Sequence, residues 1–137
     1  MRFVKGALAL VAVWVSLAAT AEPFDWRAAS EESVIEILTS DADGAPRETP
    51  VWIVVIDGAA YVRTNDSRWL ANIRRGSPVR LRVRQVESSM AAKEVQDGAL
   101  SARVEEAFKT KYGFTQRVMS LFRTSEPTVI ALVASEP

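Results

Sequence analysis

Tyr61 to Arg84 reads YVRTNDSRWLANIRRGSPVRLRVR and holds seven arginines, Arg63, Arg68, Arg74, Arg75, Arg80, Arg82 and Arg84, against one acid, Asp66. Arginine recognises phosphates and carboxylates through a planar fork of donors, so this density raises the question of an anion site. Within the stretch, Ser67-Arg68 follows a strand-like run ending at Thr64 and opens a helix-like run. A helix start offers free N–H groups and the positive end of the dipole. A hydroxyl and a guanidinium placed there complete a phosphate cradle. The remaining arginines read differently. Arg80, Arg82 and Arg84 alternate with Val79, Leu81 and Val83, the pattern of a half-buried strand with a wet face. Arg74 and Arg75 close a helix, where cations are stabilising. For those five, water suffices.

Composition narrows the chemistry further. The chain balances 17 basic against 17 acidic residues and contains no histidine and no cysteine. Nucleic-acid binding calls for a basic excess, so no nucleic-acid partner is expected. Without His or Cys the usual zinc and haem ligands, thiolate nucleophiles and the commonest general base are missing, so neither a metal nor haem is expected. Asp41 and Asp43 flank a turn and supply too few oxygens for calcium. Glu105 and Glu106 are helix neighbours that do not face each other, and so read as a solvated face. Lys111-Tyr112 offers a proton donor if it lines a cleft, but Tyr112 also continues an apolar helix face. Any redox activity needs a borrowed cofactor.

Arg2 and Lys5 precede a charge-free, mostly apolar run from Gly6 to Ala21 that ends in Ala19-Thr20-Ala21. That layout predicts a signal peptide over residues 1–21, cleaved before Glu22, and a periplasmic or secreted mature protein. The run is shorter than the ~20 residues of a spanning helix, so no stable membrane span is expected after cleavage. Residues 22–137 then form a single domain with no repeat, linker or low-complexity tract.

The elements that must position Ser67 and Arg68 follow from periodicity. Val34–Thr39 reads as a strand, with turn chemistry at Asp41 to Gly44. Val51–Ile56 (VWIVVI) reads as one continuous buried strand, with Trp52 in its core. Asp57-Gly58 is a strong hairpin signal leading into Ala59–Thr64. Asn65 or Asp66 caps a helix from Ser67 to Arg75, on which Trp69 and Ile73 share a face. Val79–Val83 and Ser89–Val95 are strands. Leu100, Val104, Phe108 and Tyr112 recur every four residues, a helix that Gly113 ends. A second short helix runs from Thr115 to Phe122, and Thr128–Val133 closes the chain as a strand. Hairpin-linked strands with few helices favour a small, mainly β antiparallel barrel.

TPVW (Thr49 to Trp52), DGAAYVRT (Asp57 to Thr64), SRWLANIRR (Ser67 to Arg75) and SPVRLRV (Ser77 to Val83) resemble, in order and spacing, the FMN-binding split-barrel superfamily that contains pyridoxamine phosphate oxidase. KTKYG (Lys109 to Gly113) and the closing TVIALV resemble a bacterial branch of unassigned function. The resemblance implies an α+β fold built on a small antiparallel split β-barrel. It implies bound FMN, or another flavin or deazaflavin, with Thr49, Pro50, Val51 and Trp52 along the ring. Thr64, Ser67 and Arg68 would hold the phosphate, with Trp69 standing where relatives often carry a second cation and Arg47 as a partial substitute. It also implies a homodimer with the ligand cleft between subunits. A chain exported unfolded cannot carry non-covalent FMN with it, so two readings stand. One is a flavin-dependent oxidoreductase; the other is a non-enzymatic protein that binds a small phosphorylated or planar ligand, or a partner, through a degenerate flavin site.

Overall fold

The computed structural model describes residues 23–121 and 127–135. Its elements run α1 (Trp26–Glu31), β1 (Ile35–Ser40), β2 (Pro46–Val51), β3 (Val54–Ile56), β4 (Ala59–Thr64), α2 (Arg68–Arg74), β5 (Val79–Val83), β6 (Val86–Glu94), α3 (Gly98–Leu121) and β7 (Thr128–Ala134). The seven strands form one antiparallel sheet in the order β2-β1-β5-β6-β7-β4-β3, curled into a half-barrel. The fold is therefore the mainly β split barrel with attached helices. Among the described residues no helix is long and apolar enough to cross a membrane. The expected signal segment and the end of the predicted second helix at Phe122 lie outside the described residues.

The apolar run VWIVVI is not one strand. Val51 ends β2 and Val54 begins β3, and these two strands occupy opposite ends of the sheet order. A sheet that curls must carry the chain from one edge to the other, and Trp52-Ile53 is that crossing. Periodicity could not show it, because both flanking strands and the crossing itself are apolar. The strand PRETPV was also hidden, since Pro46 and Pro50 argue against a central strand; β2 is an edge strand, where proline is tolerated. Helix α1 went unread as well. Asp25 caps it by accepting from the Ala28 N–H at 2.9 Å, and Ala28 and Ala29 are buried.

The hairpin at Asp57-Gly58 is present, with φ of 48° and 75° at the two turn residues. Helix α2 is capped by Ser67 rather than by Asn65 or Asp66, and the Ser67 Oγ accepts from the Leu70 N–H at 3.3 Å. Gly113 interrupts α3 as expected, at φ 56° and ψ −127°.

Two cores result. Inside the curl, Ile35, Ile37, Val62, Leu70, Leu81, Ile130 and Leu132 pack together, with Trp69 among them. Outside it, α3 lays Val104 and Phe108 on Val54, Tyr61 and Val129, and so covers β3, β4 and β7. The Arg63 guanidinium sits 3.8 Å above the Phe108 ring and pairs with Glu105 at 2.6 Å. Glu105 is thus a pairing residue, not part of a solvated face, because α3 lies directly over the strand that carries Arg63. Truncating Phe108, which is 1% exposed, leaves a cavity under α3 and removes the Arg63 contact. We expect Phe108→Ala to cost about 3–5 kcal/mol in urea unfolding; a loss under ~1 kcal/mol would show that α3 is not anchored here.

Candidate functional site

The arginine-rich stretch sorts itself by partner. Arg74 pairs with Glu94 at 2.5 Å, Arg80 with Glu87 at 2.7 Å, and Arg84 with Glu31 and Glu32 at 3.0 and 2.7 Å. Arg82 gathers Glu36, Glu48 and Glu87 on the exposed face of β1, β2, β5 and β6. Arg75 donates to Asn72 Oδ1 at 2.6 Å. So these arginines, expected to need only water, are mostly matched by glutamates that the fold brings from distant positions. Exposed pairs of this kind contribute little to stability, and they leave little positive field for an outside anion.

Arg68 stands apart. It is exposed, it is the first residue of α2, and among the described residues its side chain makes no hydrogen bond and no ion pair. Every other arginine with a described side chain has a partner. Ser67 caps the same helix start, and Thr64 ends β4 three residues earlier with its hydroxyl donating to the Asn65 carbonyl at 2.8 Å. Thr64, Ser67 and Arg68 are therefore brought together on one turn.

Arg47 is held nearby but is spoken for. Its Nε and Nη2 donate to the two carboxylate oxygens of Asp41 at 2.7 and 2.9 Å. Asn72, buried at 2% exposed, donates to Asp41 Oδ1 at 2.9 Å and to Thr39 Oγ1 at 3.0 Å. Arg47 and then Asn72 hold the Asp41 carboxyl down to about 2, and the Arg68 charge adds to this. Asp41 is thus more than a turn former. Its anion neutralises the cation that sequence reasoning placed beside the phosphate. Trp69 is 4% exposed and packs in the inner core. Val51 is likewise core, while Thr49 is half-buried and Pro50 exposed on the unpaired edge of β2.

At the other end of β2 lies the crossing. The half-buried Trp52 indole stacks on Tyr112, with centroids 4.3 Å apart and planes 4° from parallel. The Tyr112 hydroxyl accepts from the Ile53 N–H at 2.9 Å and reaches the Ser33 carbonyl at 2.8 Å, while Lys111 Nζ donates to the Ile53 carbonyl at 2.7 Å. Burial pushes the Tyr112 hydroxyl up and the Lys111 ammonium down from their ordinary values. Both groups of the expected proton-donor pair are engaged on backbone.

Sequence reasoning missed an open cleft of about 540 Å³ between β3 and α3, floored by Val54, Ile56 and Ala107 and flanked by Arg103, Thr110 and Lys111. None of the expected ligand-binding residues lines it, but Lys111 of the expected proton-donor pair does, as does Glu106. Its one sequence signal is the helical spacing of positions 103, 107 and 110–111, which marks a shared face without saying that the face is a wall. Among the described residues no cluster of acidic side chains could hold a metal ion.

Comparison with known proteins agrees with this geometry at the level of fold. Residues 26–132 match the family model described as an uncharacterised protein conserved in bacteria (DUF2255), and the chain belongs to that family. No protein of curated function matches it. Among solved structures it is similar to the haem storage protein HutZ of Vibrio cholerae, at 16% identity and a TM-score of 0.66 over 81% of this chain and 87% of that one. A FAD-binding protein of Mesorhizobium loti superposes with a TM-score of 0.61 at 10% identity, over 80% of this chain and 84% of that one. A candidate pyridoxamine 5'-phosphate oxidase of Listeria innocua gives 0.61 at 13% identity, over 80% and 90%. The split-barrel resemblance seen in the motifs holds in three dimensions.

The Asp41 cluster has a pH signature. A carboxyl depressed in the folded state contributes stability above its unfolded value, near ~4, and loses it as pH falls through the folded value. We expect the stability difference between wild type and Asp41→Asn to be full at neutral pH and to vanish between pH ~4 and ~2, as followed by Tm. A difference that stays constant across that window would show that Asp41 is not held by Arg47 and Asn72.

Proposed function

We propose that this protein is an exported split-barrel domain that binds a planar, phosphate-bearing ligand of the flavin class, and that it serves as an oxidoreductase when the ligand is FMN or another flavin or deazaflavin. The observation that carries the reading is the exposed Arg68 at the start of α2, near Thr64 and Ser67, which makes no hydrogen bond or ion pair among the described residues. The layout of β2 supports it. The Arg47 end of β2 pairs with Thr39, which touches α2, whereas the Val51 end pairs with Ile35 and leads to Trp52. The end of β2 near α2 and the end that leads to Trp52 are thus opposite, separated by roughly 15 Å of extended chain, and in this reading they are the anion-binding and aromatic poles. Such a site suits a ligand with a charged tail and a flat ring.

A bound flavin would supply hydride or electron transfer. This chain's own residues have simpler roles. Arg68 and the α2 start hold the phosphate, Thr49 and Pro50 border the ring, and Trp52 faces it at the crossing. Haem fits the donor set less well. His and Cys are missing from the sequence, Tyr112 is engaged on Ile53 and Ser33, and Tyr61 and Met90 are core residues at 7% and 6% exposed. Residues 1–21 serve as a signal peptide in this reading, and the domain acts outside the cytoplasm as a homodimer with the ligand between subunits.

A second reading keeps the fold and drops the enzyme. Arg47 is neutralised by Asp41 and Trp69 is buried, so the phosphate cradle has one available cation where flavin-binding relatives often have two. That favours a binding protein for a small phosphorylated or planar ligand, without catalysis.

Titrating the purified protein with FMN tests the first reading. Removing one charge-assisted contact should weaken binding by roughly 10–100-fold in Arg68→Ala, with partial rescue by Arg68→Lys and a smaller effect from Arg47→Ala. If FMN, FAD and deazaflavin all fail to bind, the flavin reading is wrong. If FMN binds without accepting electrons from any reductant, the binding-protein reading prevails.

A further inference from the structure

The contacts around Tyr112 form a column. The Arg63 guanidinium lies 3.8 Å above Phe108, the Phe108 ring is 5.7 Å from Tyr112 at 21°, and Tyr112 is 4.3 Å from Trp52 at 4°. The column rises from β4, passes through α3 and ends at the crossing. Its last plate, Trp52, is only half-buried and stacks on no further ring among the described residues. Trp52 lies between β2 and β3, outside the ladders that fix its neighbours. An indole in such a segment has two side-chain torsions to set, and no strand partner sets them.

Tyr112 supplies the missing constraint. Its hydroxyl is tied to the Ile53 N–H at 2.9 Å and to the Ser33 carbonyl at 2.8 Å, so the ring is held at its tip as well as by Phe108. A ring anchored at both ends can dictate the plane of whatever stacks on it. From this column we propose that Tyr112 is a positioning residue, which locks the Trp52 indole as a shelf on which the planar ring of the ligand continues the stack. The proposal rests on the planar-ligand reading above and adds what orients the ring. Offset parallel stacking favours an electron-poor heterocycle over the electron-rich indole, which is the ring type of an oxidised flavin.

The test uses the emission of bound FMN, which stacking on an indole quenches. Wild type should quench FMN strongly on binding. Tyr112→Leu, which frees the indole, should bind FMN about tenfold more weakly and leave the bound flavin visibly brighter. Tyr112→Phe keeps the ring and loses the tether, so it should fall between the two. Val104→Ala serves as the stability control, because it loosens the same helix from the same core while keeping every residue of the column, about two turns before Tyr112. It should lower Tm and leave the emission of bound FMN at the wild-type level. Wild-type affinity and quenching in Tyr112→Leu, or equal brightening in Val104→Ala, would overturn the positioning role while leaving the ligand reading intact. Failure of wild type to bind FMN, FAD or deazaflavin removes the ligand reading, and the positioning role falls with it.

Discussion

Ile53 is wholly buried, yet its peptide groups belong to no strand ladder. A barrel that curls without closing must leave such a place, because the chain has to leave one edge strand and become the other. Buried N–H and C=O groups without partners cost about 1–3 kcal/mol each, so the crossing would be a weak point if left alone. Here two successive residues of α3 satisfy it, Tyr112 on the N–H and Lys111 on the C=O. Gly113 follows at once with a positive φ, which allows the helix to break directly after the residues that do this work. The split barrel and the position of α3 are therefore one arrangement. The helix that covers the outer core also stitches the sheet where its two edges meet.

The same constraint separates the two poles of the proposed site. Because the crossing lies at the Val51 end of β2, the aromatic features gather there, while the Asp41 turn and α2 gather at the Arg47 end. Electrostatics then divides the arginines. Most are matched by carboxylates across strands or between elements. Arg68 is left over at a helix start. Among the described arginines it is the one whose side chain makes no hydrogen bond or ion pair, and that stands out far more than the arginine density of the sequence.

Much of this was legible in the residues. The alternation of Val79 to Val83, the Asp57-Gly58 turn and the four-residue spacing from Leu100 to Tyr112 each have a local physical cause, and each appears where that cause puts it. What escaped reading was non-local. Nothing in VWIVVI says that its two halves lie at opposite edges, because burial on both sides looks the same from either edge. Two prolines hid β2, which tolerates them only because it is an edge, and edge position is a property of the whole sheet. At the site, Ser67 and Arg68 were readable from helix-start chemistry. The capture of Arg47 by Asp41 was not, since it needs the β1–β2 hairpin to bring together residues whose types alone suggest a turn and a cation. Trp69 was ambiguous in sequence and is core in the fold.

The central claim is that one ligand spans β2, with its anion on Arg68 and its ring on Trp52. A crystal structure of the protein grown with FMN tests this most directly. The account predicts the phosphate against Arg68 and Ser67 and the ring parallel to the Trp52 indole, with Tyr112 still tied to Ile53. Flavin in the cleft between β3 and α3, or a phosphate held by Arg47 after release from Asp41, would contradict it.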